Sequence, residues 1–382
     1  MDKVLKISIF TIIIFSQNIK AQSALRNFGN IQIHNEGKMG FHIDLINSGT
    51  FDNNLGLTGF YNSDNSLKIS GNQTPRFHDM EVDVVNHLKL EVNTEVVNDL
   101  NFINGDIITP RSMPSIALNF LPLSLYDFEN DLRNTDGYAS YNGNLDFSFP
   151  IGQDNKLRPL TIPLQTGNPK FKAAYFNEDA NFPSTFGIDF DTTKSEVIIK
   201  AVSVNEFWDF DGNKETKVTL TWDQESNISD LVKELLNLRV VGWHIEEKQW
   251  KDLGNTNFTG SITSGTITSI FFKPNDYEVI TFGSLIGSED VLVYNLFSPN
   301  NDGINDVFVI EGINLFSNRL EVYNRWGNLV YKRTNYQNDW NGIAEVSLVI
   351  TKGEKLPSGT YYYVLNLPES NTNKIGWLYI NY

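Results

Sequence analysis

The sequence predicts an all-β protein in three consecutive parts: a short stacked-strand, β-solenoid-like segment, a β-sandwich, and a C-terminal Ig-like β-sandwich. Three observations carry this expectation. Short runs alternate apolar and polar residues with period two along most of the chain, which is the pattern of half-buried strands. Clusters rich in Asn and Gly separate these runs. Aromatic residues reach 13% of the 382 positions and Gly occupies 27 of them, a composition suited to strands and tight turns. Composition also excludes several functions. With 30 basic against 46 acidic residues the formal charge is -16, and such a polyanion is a poor partner for nucleic acid. The chain has no cysteine, so disulfides, thiolate zinc sites, Fe–S clusters and cysteine nucleophiles are ruled out.

Residues 1–21 read as a signal peptide. Asp2, Lys3 and Lys6 precede an apolar run from Ile7 to Phe15, which has the length of a signal core and is too short to span a bilayer. Ala21 suits the last position before cleavage. Removing this leader takes away three lysines and one aspartate and moves the formal charge from -16 to -18. No later stretch is apolar for long enough to form a transmembrane helix. The leader implies Sec export to the periplasm.

Residues 22–129 contain very short alternating runs such as Phe41-His42-Ile43-Asp44-Leu45, Leu67-Lys68-Ile69 and Leu88-Lys89-Leu90-Glu91-Val92. Small Asn-rich turns between such strands suit the rungs of a solenoid, although no fixed period emerges. An ordinary antiparallel sandwich is the competing expectation. Residues 130–287 carry longer strands with aromatic members, including Val218-Thr219-Leu220-Thr221-Trp222 and Leu238-Arg239-Val240-Val241-Gly242-Trp243, at sandwich spacing. One short helix is expected over 229–236, with Ser229 as its cap and Asp230 in its first turn.

The order Phe149-Pro150-Ile151-Gly152, Trp208 to Gly212, Thr219 to Trp222, Arg239 to Trp243 and then Trp250 resembles a module of Bacteroidota surface proteins, in which stacked strands lead into a sandwich. That resemblance implies an extracellular scaffold.

Residues 288–382 are the most informative. They hold Phe297-Ser298-Pro299-Asn300-Asn301-Asp302-Gly303-Ile304-Asn305-Asp306, then Tyr323-Asn324-Arg325-Trp326-Gly327-Asn328, Trp340-Asn341-Gly342, Leu356-Pro357-Ser358-Gly359-Thr360-Tyr361-Tyr362-Tyr363 and Gly376-Trp377-Leu378-Tyr379-Ile380. By spacing alone this is about seven short strands with turn clusters between them. Tyr361, Tyr363 and Leu365 should share one face of a strand, and Leu378 and Ile380 one face of the last. Together these pieces resemble the gliding-motility-associated C-terminal domain, the type B sorting domain of the type IX secretion system. Two departures are the apolar stretch 343–353 and the final Tyr382, where a basic residue is expected.

The resemblance implies a type IX cargo that passes from the periplasm to the cell surface, outer membrane or medium. Its partners would be the translocon and its cargo-handling outer-membrane proteins, with a larger surface or motility complex as a further partner. Sorting residues would be Ser298, Pro299, Asn300, Asp302, Gly303, Asn305 and Asp306, with Arg325, Trp326 and Gly327 as a second strip. Asn300, Asp302, Asn305 and Asp306 are also oxygen donors that could hold calcium, but the loop is not an EF-hand, because Val309 stands where the bidentate Glu belongs. A hydrogen-bonded Asx turn is the plainer expectation there, as for the acidic run Asp209-Phe210-Asp211-Gly212-Asn213. Apart from that calcium, no cofactor is expected. None of His34, His42, His78, His87 and His244 forms a zinc spacing, and no nucleophile elbow or phosphate-binding loop occurs. The expectation is therefore a non-enzymatic accessory or structural component of the surface, secretion or gliding apparatus. A surface adhesin and, behind it, a secreted hydrolase are the alternatives. Exposed Trp208, Trp243 and Trp250 would favour the adhesin, and their burial the scaffold.

Overall fold

A computed structural model describes residues 23–346, 352–368 and 372–382. The expected signal peptide lies outside the described residues. The chain forms two compact units, one holding the described residues up to Asn177 with Asp209–Thr216, the other Glu178–Trp208 with Lys217–Tyr382.

The first unit is a β-solenoid of about six turns. Each turn places one short strand in each of two parallel ladders. One ladder stacks Ala24–Asn27, Asp44–Asn47, Leu67–Gly71, Leu88–Leu90, Ile107–Ile108, Thr135–Asp136 and Ile151–Gln153. The other stacks Lys38–Phe41, Leu57–Asn62, Arg76–Val84, Thr94–Asn104, Leu118–Phe120 and Ala139–Asn142. Every neighbouring pair in these two series is parallel. Parallel pairing thus continues past residue 129 to Ile151–Gln153. The solenoid is preferred over an antiparallel sandwich because each turn puts its apolar residues above those of the last. Phe41 stacks on Phe60 at 5.1 Å, and Phe60 meets Phe77 edge-on at 5.7 Å. Leu45, Leu67, Ile69, Leu88 and Ile107 face them from the other ladder, all buried. Asparagines satisfy the turns from inside. Asn27 donates to Asn47 Oδ1 at 2.8 Å, Asn47 to the Gln73 carbonyl at 3.0 Å, and Asn54 to the Arg76 carbonyl at 2.7 Å. The Phe-Pro-x-Gly segment marks a switch of sheets. Phe147–Phe149 pairs antiparallel with Leu160–Ile162, whereas Ile151–Gln153 rejoins the parallel ladder after Pro150.

The second unit begins with two packed antiparallel layers. Ile199–Val202, Tyr277–Leu285, Leu238–His244 and Gln249–Asp252 form one, and Thr219–Trp222, Ser264–Thr268 and Asn257–Ser261 the other. Phe282 of the first layer meets Trp222 of the second at 6.0 Å and Trp208 at 5.3 Å, both edge-on. The expected helix over 229–236 is shorter and differently capped. Asp223 caps a 3-10 turn Gln224–Ser226 by accepting from the Glu225 N–H at 2.9 Å. Asn227 then turns left-handed, Ile228–Leu231 makes a single α turn, and Val232 is already extended. Ser229 lies inside that turn and caps nothing, while Asp230 is in its first turn as expected.

The C-terminal part has a five-stranded sheet in the order Leu296–Phe297, Thr372–Ile380, Gly359–Leu367, Arg319–Tyr323, Leu329–Thr334, and a two-stranded sheet of Leu292–Val293 with Ile310–Glu311. Its core holds Phe297, Phe308, Tyr331, Tyr336 and Trp340, with Tyr361, Tyr363, Leu365, Leu378 and Ile380 buried on the inner face as their alternation predicts. Tyr331 stacks on Trp340 at 4.6 Å, and the buried Tyr336 hydroxyl donates to the Phe308 carbonyl.

Candidate functional site

Sheet register places both expected sorting segments at one end of the C-terminal domain. Phe297 runs parallel to the last strand and pairs with Ile380, which pairs with Gly359. Tyr323 pairs with Tyr362 near the same end. The chain leaving Phe297 and the hairpin leaving Tyr323 therefore emerge together, three strand spacings or about 14 Å apart across the sheet.

The 298–306 loop is closed by its own polar groups. Asp302 Oδ1 accepts from the Ile304 N–H at 2.8 Å, and its Oδ2 accepts from Asn300 Nδ2 at 2.9 Å. Asp306 spans the loop, taking the Asn301 N–H at 2.6 Å on one oxygen and the Gly303 N–H at 2.8 Å on the other. Asn300 Oδ1 accepts from the Asp302 N–H at 3.1 Å, and the Asn305 carbonyl from the Ser298 N–H at 2.8 Å. All four carboxylate oxygens thus meet N–H donors, which is the hydrogen-bonded turn. The donors from the Ile304 N–H and Asn300 hold the Asp302 carboxyl below its ordinary range. Gly303 at φ 86 and Asn301 and Asn305 at φ 70 and 53 take left-handed conformations that suit these residue types. Ile304 at the tip is exposed. Of the four expected oxygen donors for calcium, Asp302 and Asp306 are carboxylates, and both accept from N–H groups of the loop.

In the second segment, buried Asn324 shapes the hairpin. Its Oδ1 accepts from the Trp326 and Asn328 N–H groups, each at 3.0 Å. Gly327 at φ 80 completes the turn. Trp326 is 67% exposed, with the Arg325 guanidinium 4.2 Å from its ring centroid. Of this strip, Arg325 and Trp326 present a surface, while Gly327 serves the backbone.

Three residues at this end take roles that the motifs alone do not assign. Asn324 stands in the Tyr323-Asn324-Arg325-Trp326 motif, and an Asn two positions before Trp326 is itself an Asx-turn signal. Lys355 Nζ lies 3.4 Å from the Pro299 carbonyl and 4.9 Å from the centroid of the Tyr382 ring. A Cβ on Gly342 would come 3.3 Å from the Tyr382 hydroxyl and 3.4 Å from Pro299. Lys355 thus brings a cation to the end of the sheet where the last residue was expected to be basic.

Other expected features fall differently. Asp209 and Asp211 belong to the strand Phe207–Gly212, not to an acidic turn. Asp209 accepts from the Tyr138 hydroxyl at 2.6 Å, and Asp211 pairs with Lys172 at 2.8 Å. His34, His42 and His87 lie outside strands, His87 at a left-handed turn, whereas His78 and His244 lie within them. Among the described residues no group of three or more His, Asp or Glu is placed to hold a metal. No helix among them is long and apolar enough to cross a membrane.

Residues 291–380 match the family model of the CHU_C type IX secretion signal domain. No curated protein and no solved structure matches the chain. The match spans the segment whose strands, loop and hairpin were described above. The C-terminal part is therefore a type IX secretion signal of the type B sorting kind, and it marks the chain as a type IX cargo destined for the cell surface or the medium.

Proposed function

We propose that the exported chain is a non-enzymatic accessory or structural component of the cell-surface, secretion or gliding apparatus, reached after Sec export to the periplasm. The observation that supports this reading is the use of the tryptophans upstream of the signal domain. Trp208, Trp222, Trp243 and Trp250 are all buried. Trp243 and Trp250 meet edge-on at 5.7 Å, and Trp250 Nε1 donates to the Phe190 carbonyl at 3.3 Å. Rings spent on packing are unavailable as a sugar-stacking line, which favours scaffold over adhesin. One carboxyl that burial raises is likewise engaged. Asp106 has its carboxyl raised by burial, yet it accepts from the Asn134 N–H at 3.0 Å and faces His87 at 3.2 Å.

Recognition by the translocon and its cargo-handling partners falls, in this account, on the end of the sheet that presents the 298–306 loop with Arg325 and Trp326. The loop is held in shape there by its own N–H donors. Purification from cells in gentle detergent tests the proposal. Recovery in a defined surface or outer-membrane complex is expected. Recovery only as free protein in the medium, or a reproducible hydrolase activity, would contradict it.

A further inference from the structure

The outward face of the five-stranded sheet runs along the strands from beside the loop end and has an unusual composition. Register pairs Leu296 with Tyr379, Tyr362 with Trp377 and Val364 with Ile375, so these six side chains lie on one face. Direct cross-strand neighbours stand about 5 Å apart and alternate residues along a strand about 7 Å, which makes the set contiguous. The opposite face is the buried core. A solvated sheet face ordinarily alternates to polar residues. Here Ile375 is 73% exposed, Leu296 59%, Trp377 52% and Tyr362 49%. Their exposed parts, with Tyr379, amount to roughly 500–600 Å², the upper end of what a monomeric protein leaves in one apolar patch.

We propose that this face is a self-association surface on which two copies of the chain pack sheet against sheet in a two-fold dimer. Area decides for a second copy. Two such patches together withdraw roughly 1,000–1,200 Å² from water before any rim contact is counted, which reaches the size a specific interface requires. A two-fold contact must be self-complementary, and a flat apolar centre meets that demand without register constraints. Facing sheets pack about 10 Å apart, a gap that aromatic and branched side chains fill. The rim carries both signs: Glu321 lies 2.5 Å from Arg319 and 3.4 Å from Lys332. A saccharide is the weaker occupant. Sugars stack on flat rings, and the two most exposed members of the face, Ile375 and Leu296, are aliphatic. The inference does not depend on the export role.

Sedimentation equilibrium of the purified protein, from submicromolar to high micromolar concentration, tests it. The expected result is a reversible dimer. Trp377→Glu and Ile375→Glu should each weaken it at least about ten-fold, as loss of a central interface anchor does, with the far-UV circular dichroism unchanged. Phe28→Glu, at an exposed position in the solenoid unit, should leave the dimer intact. Should Trp377→Glu fail to fold, Ile375→Glu decides alone. A monomer at every concentration, or a dimer indifferent to the folded variants, overturns the proposal. So does a monomeric protein that binds an insoluble polysaccharide and loses that binding in Trp377→Glu or, if that variant does not fold, in Ile375→Glu, which would give the face to a sugar.

Discussion

Replacing Asp306 by alanine should loosen the 298–306 loop without unfolding the domain. Its carboxylate ties the end of the loop to its middle, through the Asn301 N–H at 2.6 Å and the Gly303 N–H at 2.8 Å. A hydrogen bond to a charged acceptor contributes about 1.5–3 kcal/mol when shielded. This loop is exposed and water can replace the acceptor, so about 0.5–1 kcal/mol per bond is the appropriate scale. The two bonds together contribute about 1–2 kcal/mol, or roughly a 5–30-fold change in the local opening constant. Amide hydrogen exchange reads this directly. The Asn301 and Gly303 amides should exchange roughly 5–30 times faster in Asp306→Ala, while core amides such as those of Tyr363 and Leu365 keep their rates. Asp306→Asn retains one acceptor oxygen and should fall between. A chelator should leave the native protein's exchange unchanged, because the carboxylates already have donors. Unchanged protection in Asp306→Ala, or protection lost on chelation alone, would refute this account of the loop.

Further consequences follow from packing and charge. Trp250→Ala removes a fully buried ring and should cost about 3–5 kcal/mol of stability, read from the denaturant midpoint of the sandwich transition. Asn47→Ala breaks the inner ladder between Asn27 and Gln73 and strands buried polar groups, so a loss of about 1–3 kcal/mol is expected by the same measurement. Hydrogen bonding from Arg319 holds the Glu321 carboxyl below its ordinary range. Its contribution is therefore complete above the unfolded carboxylate range and fades as pH falls through the lowered value. The difference in melting temperature between native protein and Glu321→Gln should accordingly shrink on acidification, and a difference that grows would reverse the assigned sign.

What was legible in the sequence follows from which signals are local. Strand alternation is local, so the inner faces at Tyr361, Tyr363 and Leu365 and at Leu378 and Ile380 were readable. Solenoid character was readable from short strands with Asn-rich turns, but its period was not. Ala24 pairs with Asp44, Leu45 with Ile69, Leu67 with Leu88, Leu88 with Ile107 and Ile107 with Thr135, giving turns of 20, 24, 21, 19 and 28 residues. Buried Asn47 and Asn54 looked like loop residues because their hydrogen-bond partners lie a whole turn away. The helix shrank because Asp223 supplies the stronger cap upstream and left-handed Asn227 interrupts the run. At the site, the Asx geometry of 300–306 follows from residue type. Its neighbourhood with Arg325, Lys355 and Tyr382 is set by sheet register, which no local pattern reveals.

Export itself is the most direct test of the central claim. Cells with a working type IX translocon, expressing either the whole chain or a version ending before residue 291, should be fractionated and surface-labelled. The account predicts that the whole chain reaches the surface or the medium and that the truncated chain stays behind the outer membrane, folded and undegraded. Undiminished surface export of the truncated chain would contradict it.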